Sequence, residues 1–136
     1  MEATLFRLVL ALKHKCAATE TRIQEQRSLT PAEFHGLLSI DSKEPVSGGN
    51  FAKNIGLSAS RASRVGTRLM VKGLIELLHD PSDRRVVQLR LTKKGVALKK
   101  TIEADLARCE KTILSILPSK ERLQVTKALK SLINAM

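Results

Sequence analysis

The chain has 136 residues, with 24 Lys and Arg against 13 Asp and Glu, a formal net charge of +11 and two cysteines. That length suits a single domain with a real core, and two cysteines are too few for a disulfide-stapled secreted scaffold, which makes a reducing cytoplasm the expected setting. The excess of positive charge favours an anionic partner, nucleic acid before a membrane surface, and no apolar run approaches the roughly 18–20 residues that a membrane span needs.

Residues 3–26 read as a helix, because Leu5, Leu8, Val9 and Leu12 recur at helical spacing and Cys16, Ala17 and Ile23 extend the pattern. Its start, "LFRLVLAL", contains Arg7 and is followed by Lys13 and Lys15, unlike a signal peptide. "LTPAEF" then marks a helix start: Thr30 as N-cap, Pro31 at N1, Glu33 closing a capping box, and Leu29 and Phe34 in staple positions. This second helix reaches about Ile40, and "DSKEPVSGGN" reads as a linker. Ser47 caps a short third helix over about 48–54 that Gly56 ends. Ser58 caps a fourth that Gly73 stops after Lys72.

Beyond Gly73 the period changes from helical to alternating. In "VVQLRL", Val87, Leu89 and Leu91 fall on one face and Val86, Gln88 and Arg90 on the other; "LIELL" is its partner strand, and "HDPSDRR" joins the two as a hairpin. Thr92 caps a long helix from Lys93 to about Leu117, with Leu98, Ile102, Leu106, Cys109, Ile113 and Ile116 three or four residues apart. Pro118 breaks it. Ser119 is expected to cap a last helix whose apolar face is Leu123, Leu129, Leu132 and Ile133.

The centre has the signs of a helix-turn-helix: small Ala52 where two helices cross, Gly56 in the turn, and Phe51, Ile55, Leu57, Ala62 and Val65 as anchors. It is also where the charge lies. Residues 1–48 hold six basic and six acidic side chains, net 0; residues 49–100 hold twelve and three, net +9; residues 101–136 hold six and four, net +2. On a helical wheel of residues 58–72, Ala62, Val65, Gly66 and Leu69 cluster on one side. Ser60, Arg64 and Thr67 lie opposite, flanked by Arg61 and Arg68 on one side and Ser63 on the other. No acid occurs from Ala59 to Ile75, whereas an ordinary solvated helix face mixes signs for local pairing. Arginine can grip guanine or phosphate, and Ser and Thr serve either at short range.

"NIGLSASRASRVGTRLMVKGLIELLHDPSDRRVVQLRLTKKG" resembles the winged helix-turn-helix core of the MarR (multiple antibiotic resistance regulator) transcription factors, most specifically in "DPSDRR" and "LRLTKKG". The resemblance implies a mainly α fold with a two-stranded hairpin wing: a core over about 30–92 and dimerisation helices over about 3–26 and 93–136, all one domain. It implies a homodimer on pseudo-palindromic double-stranded DNA, with the recognition helix (about 58–72) in the major groove and the wing (about 75–91) in the minor groove. The DNA-contacting set is then Ser58, Ser60, Arg61, Ser63, Arg64, Thr67 and Arg68 on the helix, Arg84 and Arg85 on the wing, and Lys53, with Lys93 and Lys94 adding phosphate attraction. Many relatives carry arginine where this chain has Ser82, which makes Arg84 the substitute minor-groove side chain. Relatives also often have arginine at Leu77 and Leu78 and a large apolar residue at Gly66.

In "HDPSDRR", Pro81 and Ser82 favour the turn. Asp80 and Asp83 are expected to hold Arg85 by charge-assisted hydrogen bonds, leaving Arg84 free to project. No nucleophile elbow, phosphate-binding glycine loop, cofactor motif or metal-ligand spacing is present, and His14, His35 and His79 are far apart, so no catalysis and no cofactor are expected. Cys16 and Cys109 are expected to be buried, inert thiols, with oxidant sensing, which some relatives perform through a cysteine in the first helix, as the alternative. Small-molecule sensing is common in the family, but the sequence names no effector. Two other readings stay open: a protein-interaction winged helix, and a sequence-neutral architectural DNA binder.

Overall fold

The computed structural model describes residues 4–136, so Ala3, where the spacing predicts the first helix to start, lies outside the described residues. In chain order the elements are α1 (Leu5–Gln26), α2 (Pro31–Ser39), β1 (Val46–Ser47), α3 (Gly48–Ile55), α4 (Ala59–Val71), β2 (Ile75–His79), β3 (Val87–Leu91), α5 (Lys93–Ile116) and α6 (Ser119–Ala135). They divide into two compact units, one running to Lys100 and the other from Thr101 to Met136.

In the first unit most helix ends are set by local chemistry. Thr30 Oγ1 accepts from Glu33 N at 3.2 Å while Glu33 Oε1 accepts from Thr30 N at 3.0 Å, which is the capping box read from "TPAE". Ser47 and Ser58 cap α3 and α4 through the backbone N–H groups of Asn50 and Arg61. Gly56 ends α3 at φ 66°, a left-handed conformation that glycine adopts without strain. The staple residues Leu29 and Phe34 are both buried.

The core of this unit is built from Phe34 and Leu37 of α2, Ile40 just beyond it, Phe51 of α3, Val65 and Leu69 of α4, and Ile75, Leu89 and Leu91 of β2 and β3. α1 joins it only near its C-terminal end, where Ile23 and Gln24 are the buried residues. Leu5, Phe6, Leu8, Leu10 and Leu12 are exposed in the single chain.

The sheet has three strands, not two. Its order is β1-β3-β2, both pairings antiparallel, with Val46 opposite Leu89 and Ser47 opposite Gln88. The extra strand falls in the segment read as linker. Two residues carry no periodicity, and their strand character comes entirely from the β3 edge they meet. β2 pairs with β3 in the register Ile75 to Leu91 through His79 to Val87.

Thr92 fastens the start of α5 to the end of the winged region. Its Oγ1 accepts from Gly95 N at 3.1 Å and donates to the Gly73 carbonyl at 2.6 Å, while its N–H donates to the Leu74 carbonyl at 3.0 Å. Gly95 passes so close that a Cβ there would lie 2.0 Å from the Leu74 oxygen.

In the second unit, Asp105, a buried carboxylate, pairs with Arg108 one turn on. Pro118, not Ser119, is the N-cap of α6: it holds φ −56° and ψ 144°, its carbonyl accepts from Glu121 and Arg122, and no side chain caps the helix. The proline's fixed φ ends α5 and leaves Ser119 as the first helical residue. Leu123, Val125, Leu129 and Ile133 are exposed on α6.

Candidate nucleic-acid interface

The fourth helix buries Ala62, Val65, Gly66 and Leu69 and turns the opposite face to solvent. Ser58, Ser60, Arg61, Ser63, Arg64, Thr67 and Arg68 are all exposed, and Lys53 is exposed on the last turn of α3. Gly66 brings the helix onto the sheet, since a Cβ there would meet Leu89 Cδ2 at 3.3 Å.

The helix is anchored at its C-terminal end by a knot of lysines. Lys72 Nζ donates to the Ser28 carbonyl at 2.8 Å and lies 2.7 Å from Glu33 Oε2. Lys94 Nζ in turn donates to the Lys72 carbonyl at 2.9 Å. Glu33 is 2% exposed, and its Oε2 has no aligned hydrogen-bond donor, so the Lys72 ammonium meets its charge as an ion pair. Burial pushes the Glu33 carboxyl up. The Lys72 ammonium and the Thr30 backbone and hydroxyl more than offset this, and the group ends below the usual carboxylate range.

The wing tip closes between Asp80 and Val86, where Asp80 N donates to the Val86 carbonyl at 3.2 Å. The two aspartates divide the work differently from the sequence expectation. Asp83 alone holds Arg85: its Oδ1 accepts from Arg85 N at 3.0 Å and Nε at 3.1 Å, and its Oδ2 from Nη2 at 3.4 Å. Asp80 holds no arginine. Its Oδ1 accepts from Ser82 N at 2.8 Å and Ser82 Oγ at 2.6 Å, a local ring that fixes the turn after Pro81. The Ser82 hydroxyl and amide keep Asp80 below its ordinary range, and the Arg85 side chain and amide do the same for Asp83. The nearest donor is two residues along, so each carboxylate is satisfied before an arginine further off can reach it.

Arg84 is exposed, and its side chain makes no hydrogen bond or ion pair among the described residues. Its carbonyl lies 3.3 Å from His79 Nδ1, which donates to it in the Nδ1–H tautomer. One pair escaped the sequence reading. Glu76 and Arg90 sit opposite each other on β2 and β3, and Glu76 Oε1 accepts from Arg90 Nε at 2.8 Å and Nη2 at 2.6 Å. Only the strand register could have found it.

Helix and wing share a groove of about 400 Å³, lined by Ser63, Gly66 and Thr67 from α4 and by Leu77, Arg85 and Val87 from the wing. Of the predicted site residues the groove brings Ser63, Thr67 and Arg85 together, while Ser60, Arg61, Arg64 and Arg68 lie elsewhere on α4 and Lys93 and Lys94 are exposed at the start of α5. Cys16 is exposed and Cys109 half-buried, so neither thiol is buried as expected. α1 is covered in its own unit only near Ile23 and Gln24, which leaves Cys16 in the open. Among the described residues no three His, Cys, Asp or Glu side chains are grouped to hold a metal, and no helix is long and apolar enough to cross a membrane.

Three helices, a hairpin and an acid-free basic helix face define a winged helix-turn-helix protein. The chain matches the MarR family model over residues 29–87. It is 23% identical over 137 residues to the transcriptional repressor MprA of Escherichia coli, covering 99% of this chain and 78% of that protein. It is 28% identical over 114 residues to the HTH-type transcriptional repressor MdtR of Bacillus subtilis, covering 84% of this chain and 74% of that protein. Its fold is shared with the S. aureus MepR–DNA complex at a TM-score of 0.79 and 22% identity, covering 99% of this chain and 100% of that one.

Proposed function

We propose that this protein is a sequence-specific, double-stranded-DNA-binding transcriptional regulator that acts as a homodimeric repressor in the cytoplasm and has no catalytic activity. The observation that carries the reading is the outward face of α4. Arg61, Arg64 and Arg68 stand there among Ser60, Ser63 and Thr67, with no acid from Ala59 to Ile75. Such a face lowers its own electrostatic energy most by meeting a polyanion, and a helix of this width fits the major groove. The wing carries Arg84 toward the adjacent minor groove, whose narrow stretches concentrate negative potential. Lys53, Lys93 and Lys94 add sequence-independent attraction to phosphates. The naming of MprA and MdtR as repressors, and the DNA in the MepR complex, support the same reading.

The dimer would form through the exposed apolar residues of α1, α5 and α6, and its two recognition helices would read half-sites about 34–36 Å apart, one helical turn. Occupancy would block a promoter, and a small-molecule effector would act by changing that spacing. Footprinting against selected and genomic DNA tests the function. Protection of a short, two-fold-related sequence is expected. Protection everywhere would make the protein architectural, and none anywhere would leave a protein-interaction module.

A further inference from the structure

On the premise that α4 reads DNA as proposed above, its geometry also bears on which base is read. With a 100° step per residue, the outermost ridge of α4 is Ser60, Arg64, Thr67 and Val71, opposite buried Ala62, Val65, Gly66 and Leu69. All four ridge residues are exposed. The hydroxyls on it are engaged locally. Thr67 Oγ1 donates to the Ser63 carbonyl at 3.0 Å, and Ser60 Oγ lies 3.4 Å from Ser58 Oγ, which accepts from Arg61 N. The Arg64 guanidinium, in contrast, makes no hydrogen bond or ion pair among the described residues. Its ridge neighbours one turn away are short, so they do not hold the helix off a groove floor.

A guanidinium is all donor: five N–H groups in a rigid fork and no acceptor. In the major groove adenine offers one acceptor beside a donor, cytosine a donor, and thymine a single acceptor beside a methyl. Only guanine offers two acceptors, N7 and O6, side by side. Arg61 and Arg68 lie on one flank of the ridge, a position from which the phosphates of a groove wall would be in reach. We propose that Arg64 is the specificity-determining residue and that each DNA half-site carries one guanine whose N7 and O6 it grips.

The test uses the full-length protein and a duplex selected by it from random sequence. Each guanine of a half-site is replaced in turn by 7-deazaguanine, which lacks the N7 acceptor and still pairs with cytosine. One position per half-site should lose roughly tenfold in affinity, the scale of a lost bidentate contact. In Arg64→Ala the same replacement should cost nothing more. Arg64→Lys keeps the charge and should retain nearly full affinity if Arg64 touches only phosphate, whereas losing the planar fork should lower affinity for the guanine-containing half-site. Insensitivity at every guanine, or an undiminished penalty in Arg64→Ala, would overturn the assignment while leaving DNA binding intact. Failure of the selection to enrich any sequence would instead overturn the premise.

Discussion

Asp83 grips Arg85, two residues further along the chain, through both its amide and its guanidinium, with Oδ1 accepting from N at 3.0 Å and from Nε at 3.1 Å. The pair is exposed, Arg85 at 92%, so its energy is small and its value is directional. It fixes the backbone where the hairpin re-enters β3 and places Arg85 along the groove beside α4.

Asp83→Asn separates that role from bulk charge. The substitution makes a basic protein more basic, and electrostatics alone would tighten DNA binding. With the wing disordered, affinity should instead fall several-fold, as measured by gel shift at fixed salt. Tighter binding would show that Asp83 has no positioning role.

Arg84→Ala should weaken DNA binding, lower the salt dependence by about one counterion and leave thermal stability unchanged, because its side chain has no partner in the described structure. Arg85→Ala should broaden the wing's backbone amide exchange. Hydrogen exchange and a salt titration on both variants read the two effects separately; identical profiles would remove the distinction.

Glu33→Gln should cost about 1–3 kcal/mol in urea unfolding, because Lys72 loses the charge partner 2.7 Å away and a buried box loses its carboxylate. Glu33 is held below the ordinary carboxylate range in the folded chain, so it stabilises the fold above that range. This contribution is lost as pH falls through the lowered folded value, where the carboxylate takes a proton. The wild type should therefore lose stability on acidification more steeply than Glu33→Gln. Parallel curves would assign the acid sensitivity elsewhere.

Gly95→Ala should destabilise by about 1–3 kcal/mol, despite alanine's better helix propensity, since its Cβ would meet the Leu74 carbonyl. A thermal melt equal to or above the wild type would mean that the start of α5 can move.

Most of the fold was legible because its boundaries are local. Thr30, Ser47, Ser58, Gly56 and Gly73 punctuate the helices through contacts within a few residues, and the buried stripe of α4 follows from spacing alone. What escaped depends on distant partners. β1 exists because Val46 finds Leu89, and the Glu76–Arg90 pair because of register. The wing was half legible: the sequence showed that carboxylates would restrain an arginine, but the partner of each was decided by turn geometry two residues away. The exposure of Cys16 was illegible for a further reason, since apolar spacing marks a face for burial without saying what covers it.

The dipeptide Val46–Ser47 has a double employment: it lies against β3 and its serine opens α3. The wing is therefore joined to α3, the helix that precedes α4. The hairpin is a spar with a fixed root, so insertions between Asp80 and Val86 would change how far it reaches without changing where it points.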